Sequence, residues 1–264
     1  MHALIRLIAV ATITLGMGAC TAMPQRGENW QSLFDGKTLD GWTPKIRGFP
    51  LGENYRDTFR VKDGSLVVSY DKYDQFGERF GHLFYKTPFK AYRLRLDYRF
   101  VDGTPADTAA WAIANNGVMI FSQDPKTMAV DDSFPVSVEA QLLGPAPGQQ
   151  RFNGNMCSPG TNVVIDGQLI TTHCINSKSV ATPNGEWVHF EVEVLPSGVV
   201  TQRVNGADVF VYSQVQLDPA GKMANSIPLI AASGGKLTLD GGYIALQSEG
   251  APIEFKNIAI LELS

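Results

Sequence analysis

"YRLRLDYRF", residues 92–100, alternates apolar and charged side chains without interruption. Successive side chains of a strand point to opposite faces, so this pattern predicts a strand with one buried and one solvated face. "WVHFEVEVL", residues 187–195, repeats the alternation. It runs through turn signals at Ser197-Gly198 and Asn205-Gly206 into two further strand-like segments. These segments predict an antiparallel meander whose two faces differ in polarity.

The rest of the chain favours the same class of structure. The 264 residues include 44% hydrophobic side chains, only 18% charged ones, 26 glycines and 15 prolines. No segment of any length has a helical apolar period. We therefore expect one all-β domain built as a sandwich of two stacked antiparallel sheets. The net charge of −4 and the absence of a lysine or arginine run argue against a nucleic-acid partner.

"FPVSVEAQLLG", residues 134–144, places polar groups on one face of a largely apolar strand. The period of two puts Glu139 and Gln141 on the same face, about 6.6–6.8 Å apart along the strand. Two interpretations are open at this point. The pair lies either on a solvated outer face or on the floor of a binding groove.

The N-terminus has the features of an export signal. Residues 1–19 combine an early Arg6, an apolar run and small residues, which is typical of a secretory signal segment. The ending Met17-Gly18-Ala19-Cys20 resembles a bacterial lipobox, which implies lipidation of Cys20; ordinary cleavage nearby is the alternative. Residues 20–28 would then form the lipidated tether and residues 29–264 a single β-sandwich catalytic domain. We expect a periplasmic lipoprotein, anchored to the outer membrane because Thr21 replaces the aspartate of inner-membrane retention.

Two cysteines remain besides Cys20. In an oxidising compartment Cys157 and Cys174 are expected to form a disulfide that closes a short loop. The alternative is a metal site that adds His173 to the two thiols, although adjacent His and Cys residues have poor ligand spacing.

Both ends of the domain carry a family resemblance. "WQSLFDGKTLDGWTP" near the start and "DGGYIALQSEGAPIEFKNIAILEL" at the end resemble the 3-keto-disaccharide hydrolase family, formerly a domain of unknown function. "FGHLFYK", "NNGVMIFSQ", "NMCSPGT" and "THC" between them resemble one subgroup of it. The resemblance spans residues 29–264. It implies a concanavalin-like or glucanase-like jelly roll, and hydrolysis or elimination at 3-keto-glycosides in the bacterial periplasm.

The implied reaction needs few groups. A ketone at C3 acidifies the C2 proton, so a base can remove it, an electrophile can stabilise the enolate, and the C1 oxygen can leave. Glu139, His173 and His82 are the candidate catalytic residues. A conventional glycosidase would need two carboxylates, and the strand at 134–144 offers only one.

Further polar and aromatic residues are candidates for holding a sugar. Amide and charged groups can bind hydroxyls, and aromatic rings can stack on the apolar face of a pyranose. Gln247 and Glu249 share a strand face and repeat the pairing of Gln141 with Glu139. The predicted substrate-binding residues are Gln141, Arg79, Tyr85, Trp111, Asn116, Gln247 and Glu249.

No cofactor follows with certainty from the sequence. A divalent metal such as Ca²⁺ is a candidate, because Asp131 and Asp132 offer hard oxygen ligands in a loop; a solvated loop is the alternative. The expected partners are an oligosaccharide or glycoside and, through the lipid anchor, a membrane. The expected function is cleavage of 3-keto-glycosides by C2 proton abstraction and elimination at C1. A non-catalytic carbohydrate-binding lipoprotein and a conventional glucanase-like hydrolase are the alternatives.

Overall fold

The computed structural model describes residues 28–264, and these form an antiparallel β-sandwich with very little helix. The predicted fold class is confirmed. The signal segment at 1–19, the lipidation site Cys20 and all but the last residue of the tether lie outside the described residues. Within 28–264, no helix is long and apolar enough to cross a membrane.

The larger sheet has ten strands. The strands of all sheets are numbered together in chain order. Nine strands of the larger sheet pair in a continuous path, and β1 (Gln31–Ser32) pairs beside it with β19. In order of pairing the nine are β12 (Gln168–Ile170), β11 (Thr161–Ile165), β17 (Ala207–Leu217), β16 (Val200–Val204), β15 (Val188–Val194), β6 (Tyr92–Phe100), β19 (Ile253–Glu262), β4 (Ser65–Val68) and β3 (Phe59–Lys62).

The smaller sheet has seven strands. In order of pairing they are β13 (Cys174–Ile175), β10 (Asn155–Cys157), β8 (Val138–Leu143), β7 (Asn115–Ser122), β18 (Tyr243–Ser248), β5 (Gly81–Tyr85) and β2 (Trp42–Ile46). A two-stranded ribbon pairs β14 (Ser179–Val180) with β9 (Phe152–Asn153). The helical segments are three 3₁₀ turns, Tyr55–Asp57, Ala110–Ala112 and Pro125–Thr127, and one helix, α1 (Ile227–Ala232).

The core lies between the two sheets. In β6, buried and partly buried residues alternate along the whole strand, as the sequence pattern predicts. Leu96 is fully buried and lies opposite Phe190 of β15. From the smaller sheet, the side chains of Val138, Ala140 and Leu142 on β8 pack into the same core. Each large aliphatic or aromatic side chain buried here contributes about 1.5–3 kcal/mol relative to an exposed one.

Charged side chains pair on the outer face of the larger sheet. Arg203 of β16 forms ion pairs with Glu191 (2.9 Å) and Glu193 (3.0 Å) of β15. Arg99 of β6 pairs with Glu254 of β19 at 2.7 Å. Cross-strand pairs of this kind satisfy the charges on the solvated face and fix the register of neighbouring strands. The charged side chains of this face therefore have a structural role.

Replacing Leu96 with alanine tests the packing between the sheets. We expect the free energy of unfolding to fall by about 2–5 kcal/mol, because a fully buried leucine leaves a cavity when it is truncated. Urea unfolding followed by circular dichroism measures the change. Lys62→Ala, at an exposed strand end, serves as the control and should stay within about 0.5 kcal/mol of the original protein. Equal effects of the two substitutions would contradict this description of the core.

Candidate functional site

The outer face of the smaller sheet holds a cavity of about 330 Å³. This volume lies within the usual range for small-molecule sites. Strands β7, β8, β10 and β13 supply its floor, and loops between strands supply its rim. The lining residues are Glu78, Phe80, Trp111, Asn115, Phe134, Glu139, Gln141, Cys157, Pro159, His173, Cys174, Met223 and Glu249.

Glu139 reaches the cavity because of strand alternation in β8. Its neighbours Val138 and Ala140 point into the core, so Glu139 points to the opposite face. Only 6% of its surface is exposed, and its Oε1 atom is buried with no hydrogen-bond partner among the described residues. A buried oxygen without a partner is costly to stability and is uncommon in native proteins. An unpaired carboxyl in a cavity is therefore a candidate for binding or proton transfer.

Gly117 makes room for this carboxyl group. It lies on β7 opposite Gln141. A methyl group at residue 117 would lie 2.7 Å from Cδ of Glu139. Gly117 has an ordinary negative φ, so its role is the space it leaves rather than its backbone conformation.

A second carboxyl group enters the cavity from another strand. Glu249 follows the end of β18, which pairs with β7, and only 4% of its surface is exposed. Its Oε2 atom is also buried without a partner among residues 28–264. Burial raises the pKa of Glu249 well above its ordinary value, and the nearby charge of Glu139 raises it further. Arg151 opposes both effects, but burial prevails.

The two carboxyl groups therefore differ in how firmly they hold their protons. Burial raises the pKa of Glu139 to about 8. An ionisation so close to neutral pH suits a group that takes up and releases a proton. Glu249 has the additional repulsion from Glu139, so it is the carboxyl group that stays protonated and can donate a hydrogen bond. Two carboxyl groups with separated ionisation are the usual form of an acid and base pair.

A disulfide and a histidine form one wall. Cys157 and Cys174 are joined across β10 and β13, and Cys157 lies directly opposite Glu139 in the register of β10 and β8. His173 precedes the disulfide, and its carbonyl accepts a hydrogen bond from the Ser158 amide at 2.8 Å. Burial lowers the pKa of His173, and its Nδ1 atom is buried without a partner among the described residues. The imidazole is therefore neutral at pH 7 and has a free ring nitrogen.

Amide groups and aromatic rings complete the cavity. Gln141 accepts a hydrogen bond from the Asn155 amide at 2.9 Å, which fixes its orientation. Asn115 has a buried Oδ1 atom without a partner in the described chain. Trp111 is 51% exposed at the rim and stacks on Phe80 at a centroid distance of 6.0 Å. A half-exposed ring on a packed aromatic base is a suitable surface for the apolar face of a sugar.

Arg151 fixes the rim segment that carries Trp111. Its guanidinium donates to the carbonyl of Trp111 at 2.9 Å, and it also donates to the carbonyls of Ile113 and Gly144. These bonds hold the 3₁₀ turn at Ala110–Ala112 against the sheet. Arg151 also brings its positive charge close to Glu249.

Of the predicted catalytic residues, the structure brings Glu139 and His173 together in the cavity, but not His82. His82 is 1% exposed on β5, and the ring of Phe134 packs against it at 6.1 Å. Burial, with a smaller contribution from Lys45, lowers the pKa of His82 to about 3. His82 therefore lies outside the cavity, as a neutral, buried residue.

Among the predicted sugar-binding residues, Gln141, Trp111 and Glu249 line the cavity. Arg79 does not, because its guanidinium donates to the carbonyls of Gln75 and Phe76 within its own turn. Tyr85 does not either. It faces the core, where its ring packs edge-on against Trp42.

The structure places Asn115, and not the predicted Asn116, in the cavity wall. Val118 and Ile120 on the same strand point into the core, so Asn116 shares their face and Asn115 points to the cavity. Asn116 instead donates to the Gln247 carbonyl at 2.7 Å. Gln247 is fully buried beside His82, with both amide atoms unpartnered among residues 28–264, and is absent from the cavity wall.

The structure offers little support for a metal at the predicted positions. Ligand atoms of Cys157, His173 and Cys174 lie within 4.8 Å of one another, but the disulfide leaves neither cysteine a thiolate. Asp132 accepts the Ala129 amide at 2.7 Å, so one of its oxygens already closes its own loop. These residues do not form a donor set that fits Ca²⁺.

Six side chains of the cavity are not among the predicted site residues: Glu78, Phe80, Asn115, Phe134, Pro159 and Met223. Phe80 and Asn115 lie within segments that carry the family resemblance, and strand alternation alone identifies the second. Phe134 opens the segment that carries Glu139, but the structure has it outside the regular strand. Met223 comes from a loop far along the chain, for which no sequence signal exists.

Comparison with known proteins identifies the fold and a family. Residues 29–261 match the sequence profile of the 3-keto-alpha-glucoside-1,2-lyase-like domain. Two solved proteins from Parabacteroides distasonis ATCC 8503, each described as a "putative glycosyl hydrolase", are similar in structure. The first has a TM-score of 0.50 and 20% identity, and the match covers 89% of this chain and 94% of that one. The second has a TM-score of 0.52 and 18% identity, with 89% and 99% covered.

A protein with a known sugar ligand shares the fold more distantly. The exoplasmic/lumenal domain of VIP36, solved with Ca²⁺ and Man3GlcNAc, has a TM-score of 0.51 at 8% identity, and the match covers 88% of each chain. At these identities the similarity shows the fold alone. No curated protein matched the sequence.

The raised pKa of Glu139 predicts how stability depends on pH. The folded protein holds this proton up to about pH 8, whereas the unfolded chain releases it near the ordinary value of 4.5. The contribution to stability is therefore complete below pH 4.5 and is lost as the pH rises through about 8. Glu139→Gln should remove this loss, so its stability relative to the original protein should rise by at least about 1 kcal/mol between pH 5 and 8.

Urea unfolding at both pH values measures this difference. Glu262→Gln, at an exposed position on β19, is the matched control and should follow the original protein. Parallel pH curves for the original protein and Glu139→Gln would contradict the burial of this carboxyl group.

Proposed function

Because the chain belongs to the 3-keto-alpha-glucoside-1,2-lyase-like family, we propose that it cleaves 3-keto-glycosides by eliminating the group at C1. The observation that carries the proposal is the pair of buried carboxyl groups, Glu139 and Glu249, in one cavity with an aromatic rim. The family assignment indicates a carbohydrate-active enzyme. The cavity supports the elimination reaction in particular, because it offers a base, an acid and a neutral imidazole.

The base in this proposal is Glu139. Its carboxylate takes the proton from C2 of the sugar, and the electron pair of the C2–H bond moves onto the C3 oxygen to form an enolate. A base whose pKa lies near the working pH is efficient in both taking up and releasing the proton. The ketone at C3 is what makes the C2 proton acidic.

The acid is Glu249. In its protonated form it donates a hydrogen bond to the developing enolate oxygen, as a neutral carboxylic acid in an apolar site can do. The enolate then collapses. The C1–O bond breaks, its electron pair leaves with the glycosidic oxygen, and a C1–C2 double bond forms.

The neutral ring of His173 assists the leaving group by hydrogen bonding to the departing oxygen. That oxygen takes up the proton that Glu139 removed from C2, which returns Glu139 to its carboxylate form. The products are an alcohol and a 1,2-unsaturated 3-keto sugar, and addition of water across the new double bond gives net hydrolysis. No redox cofactor is consumed, since the ketone is already present in the substrate.

The carboxyl pair also favours a second function, that of a conventional two-carboxylate glycoside hydrolase. The structure supplies the second acid that strand β8 alone does not provide. Such an enzyme needs one carboxylate ionised as nucleophile or base, as the elimination also does. The match to a 3-keto-alpha-glucoside-1,2-lyase-like domain, and not the ionisation of the two carboxyl groups, is what favours elimination.

We further propose that the enzyme works in the periplasm, held to a membrane by a lipid on Cys20. The disulfide between Cys157 and Cys174 supports an oxidising compartment. The lipobox-like ending at Met17–Cys20 supports the anchor.

The decisive experiment compares 4-nitrophenyl 3-keto-α-glucoside with its unoxidised parent, with and without a chelator. We expect release of nitrophenol from the keto form only, and slower release when deuterium replaces hydrogen at C2. Cleavage of the parent without a deuterium effect would favour the conventional hydrolase. Binding without cleavage of either would favour a carbohydrate-binding lipoprotein.

Glu139→Gln should lower kcat on the keto substrate at least about 10³-fold, because the amide cannot accept the C2 proton. Single-turnover release of nitrophenol measures the loss. Glu262→Gln should keep the original rate. A loss smaller than tenfold in Glu139→Gln would remove Glu139 from the role of base.

Gly117→Ala should lower kcat about 10- to 100-fold without abolishing folding. The added methyl group overlaps the Glu139 side chain and forces it to a new rotamer, and small displacements of a reacting group are costly to rate. Circular dichroism checks the fold, and the same nitrophenol assay measures the rate. An unchanged kcat would contradict the close packing of residues 117 and 139.

A further inference from the structure

Two buried polar side chains lie behind the cavity floor, on the same face of the smaller sheet as Glu139. On β18, Leu246 packs into the core, so Gln247 points to the outer face. His82 of β5 lies directly opposite Gln247 in register. Its neighbour Leu83 packs into the core, so the His82 ring points to the outer face as well. Gln247 and His82 therefore extend a polar row that begins at Glu139.

The carboxyl group of Glu139 reaches toward this row. Glu139 belongs to β8, but its side chain lies over Gly117 of β7, and a methyl group at residue 117 would overlap Oε1 of Glu139 more closely than any other atom. The next strand is β18, where Leu246 pairs with Val118, which places Gln247 beside Gly117. Neighbouring strands are about 4.8 Å apart. Oε1 of Glu139 and the Gln247 amide thus approach Gly117 from opposite sides.

The polar atoms of this row are buried and complementary. Oε1 of Glu139, both amide atoms of Gln247 and Nε2 of His82 have no hydrogen-bond partner among residues 28–264. The three side chains are 6%, 0% and 1% exposed, and unpartnered polar atoms at such depth are costly. An ionised carboxylate accepts, a primary amide both donates and accepts, and a neutral imidazole N–H donates. A single orientation of the amide can therefore satisfy all three side chains.

We propose that Gln247 and His82 are positioning residues for the base: the Nε2–H of His82 donates to the side-chain oxygen of Gln247, whose amide donates to Oε1 of ionised Glu139. This inference rests on the proposed function and deepens it. The hydrogen-bonded chain holds the carboxylate over Gly117 and stabilises the negative charge that a base requires. Phe134 packs against His82 and lines the cavity, whereas neither Gln247 nor His82 lines it. Both residues therefore act only through Glu139.

Other titratable groups also surround Glu139. On the cavity side these groups are Glu78, Glu249 and His173, with Arg151 beside Glu249. Behind the row, Lys45 lies opposite His82 in register and helps to keep that ring neutral. His82 thus contributes a hydrogen bond and no charge. Substitutions of Gln247 and His82 leave the charged groups in place, so a changed titration of Glu139 reports on the hydrogen-bonded chain.

The first test uses the original, full-length protein. Carbon-13 labelling of the glutamate carboxyl carbons allows NMR to follow the ionisation of Glu139, whose signal is the one missing from Glu139→Gln. Nitrogen-15 spectra follow the side-chain amide of Gln247, assigned from Gln247→Met. We expect the Gln247 amide signals to shift with the same pH midpoint as the Glu139 carboxyl carbon. Amide signals that do not move through this titration would overturn the proposal.

The second test removes each member of the chain. Gln247→Met keeps the side-chain length but loses the amide, and it should raise the Glu139 midpoint by at least about one pH unit, because a hydrogen bond to the ionised form is lost. His82→Leu should raise the midpoint less, and it should add nothing to Gln247→Met. Phe84→Leu, a buried change on the same face of β5, is the matched control and should keep the midpoint.

The same variants separate this inference from the proposed reaction. On the nitrophenyl keto substrate, the acidic limb of the pH profile of kcat/KM should move by the same amount as the NMR midpoint. If Gln247→Met does not fold, Gln247→Asn replaces it, since the shorter chain withdraws the amide from Glu139. An unchanged midpoint, or one that Phe84→Leu moves equally, would contradict the proposed chain. A shifted midpoint in a protein that cleaves no keto substrate would refute the elimination and leave the chain standing.

Discussion

The constraint on which this molecule depends is that the smaller sheet has no freely solvated face over its central strands. One face packs against the larger sheet, and the other forms the cavity floor. The carboxyl groups of Glu139 and Glu249 are therefore removed from water. The energetic cost of this burial is what moves the pKa of Glu139 and Glu249 toward the range where proton transfer is useful.

The larger sheet has the opposite arrangement, and its packing offsets the cost of burying these polar groups. Its outer face is wet, and its charges are neutralised by cross-strand partners such as Arg203 with Glu191. Its inner face supplies an apolar surface that runs through β6 and β15. A broad, well-packed core can support several unpaired polar atoms on the other sheet, where a small core could not. Stability and chemistry are thus divided between the two layers.

Much of this architecture follows from the period of two in strands. It predicts the buried and charged faces at 92–100 and 187–195, and it places Glu139 opposite the core. Applied consistently, it also distinguishes Asn115 from Asn116 and excludes Tyr85. The period of two does not indicate which strands become neighbours in a sheet. The meeting of Glu139 with Glu249 depends on the pairing of β18 with β7, a long-range event with no local signature.

Loops limit the prediction further. Met223 reaches the site from a turn held by Asp218, and Arg79 turns away because nearby carbonyls satisfy its guanidinium. Each case is decided by hydrogen bonds that form only in the folded chain. Whether a histidine among aromatic residues, such as His82, is available to a site likewise depends on the side chains that cover it.

The close approach of residues 117 and 139 has a consequence for how this sequence can vary. The space that glycine leaves at 117 is already filled by the side chain of Glu139. A larger residue at 117 therefore requires the side chain at 139 to shift or to shorten, and either change moves the carboxyl group from its present position in the cavity. Among variants of this chain, the pair should be inherited as one unit, and its loss should separate chains that retain the sandwich from chains that retain the reaction.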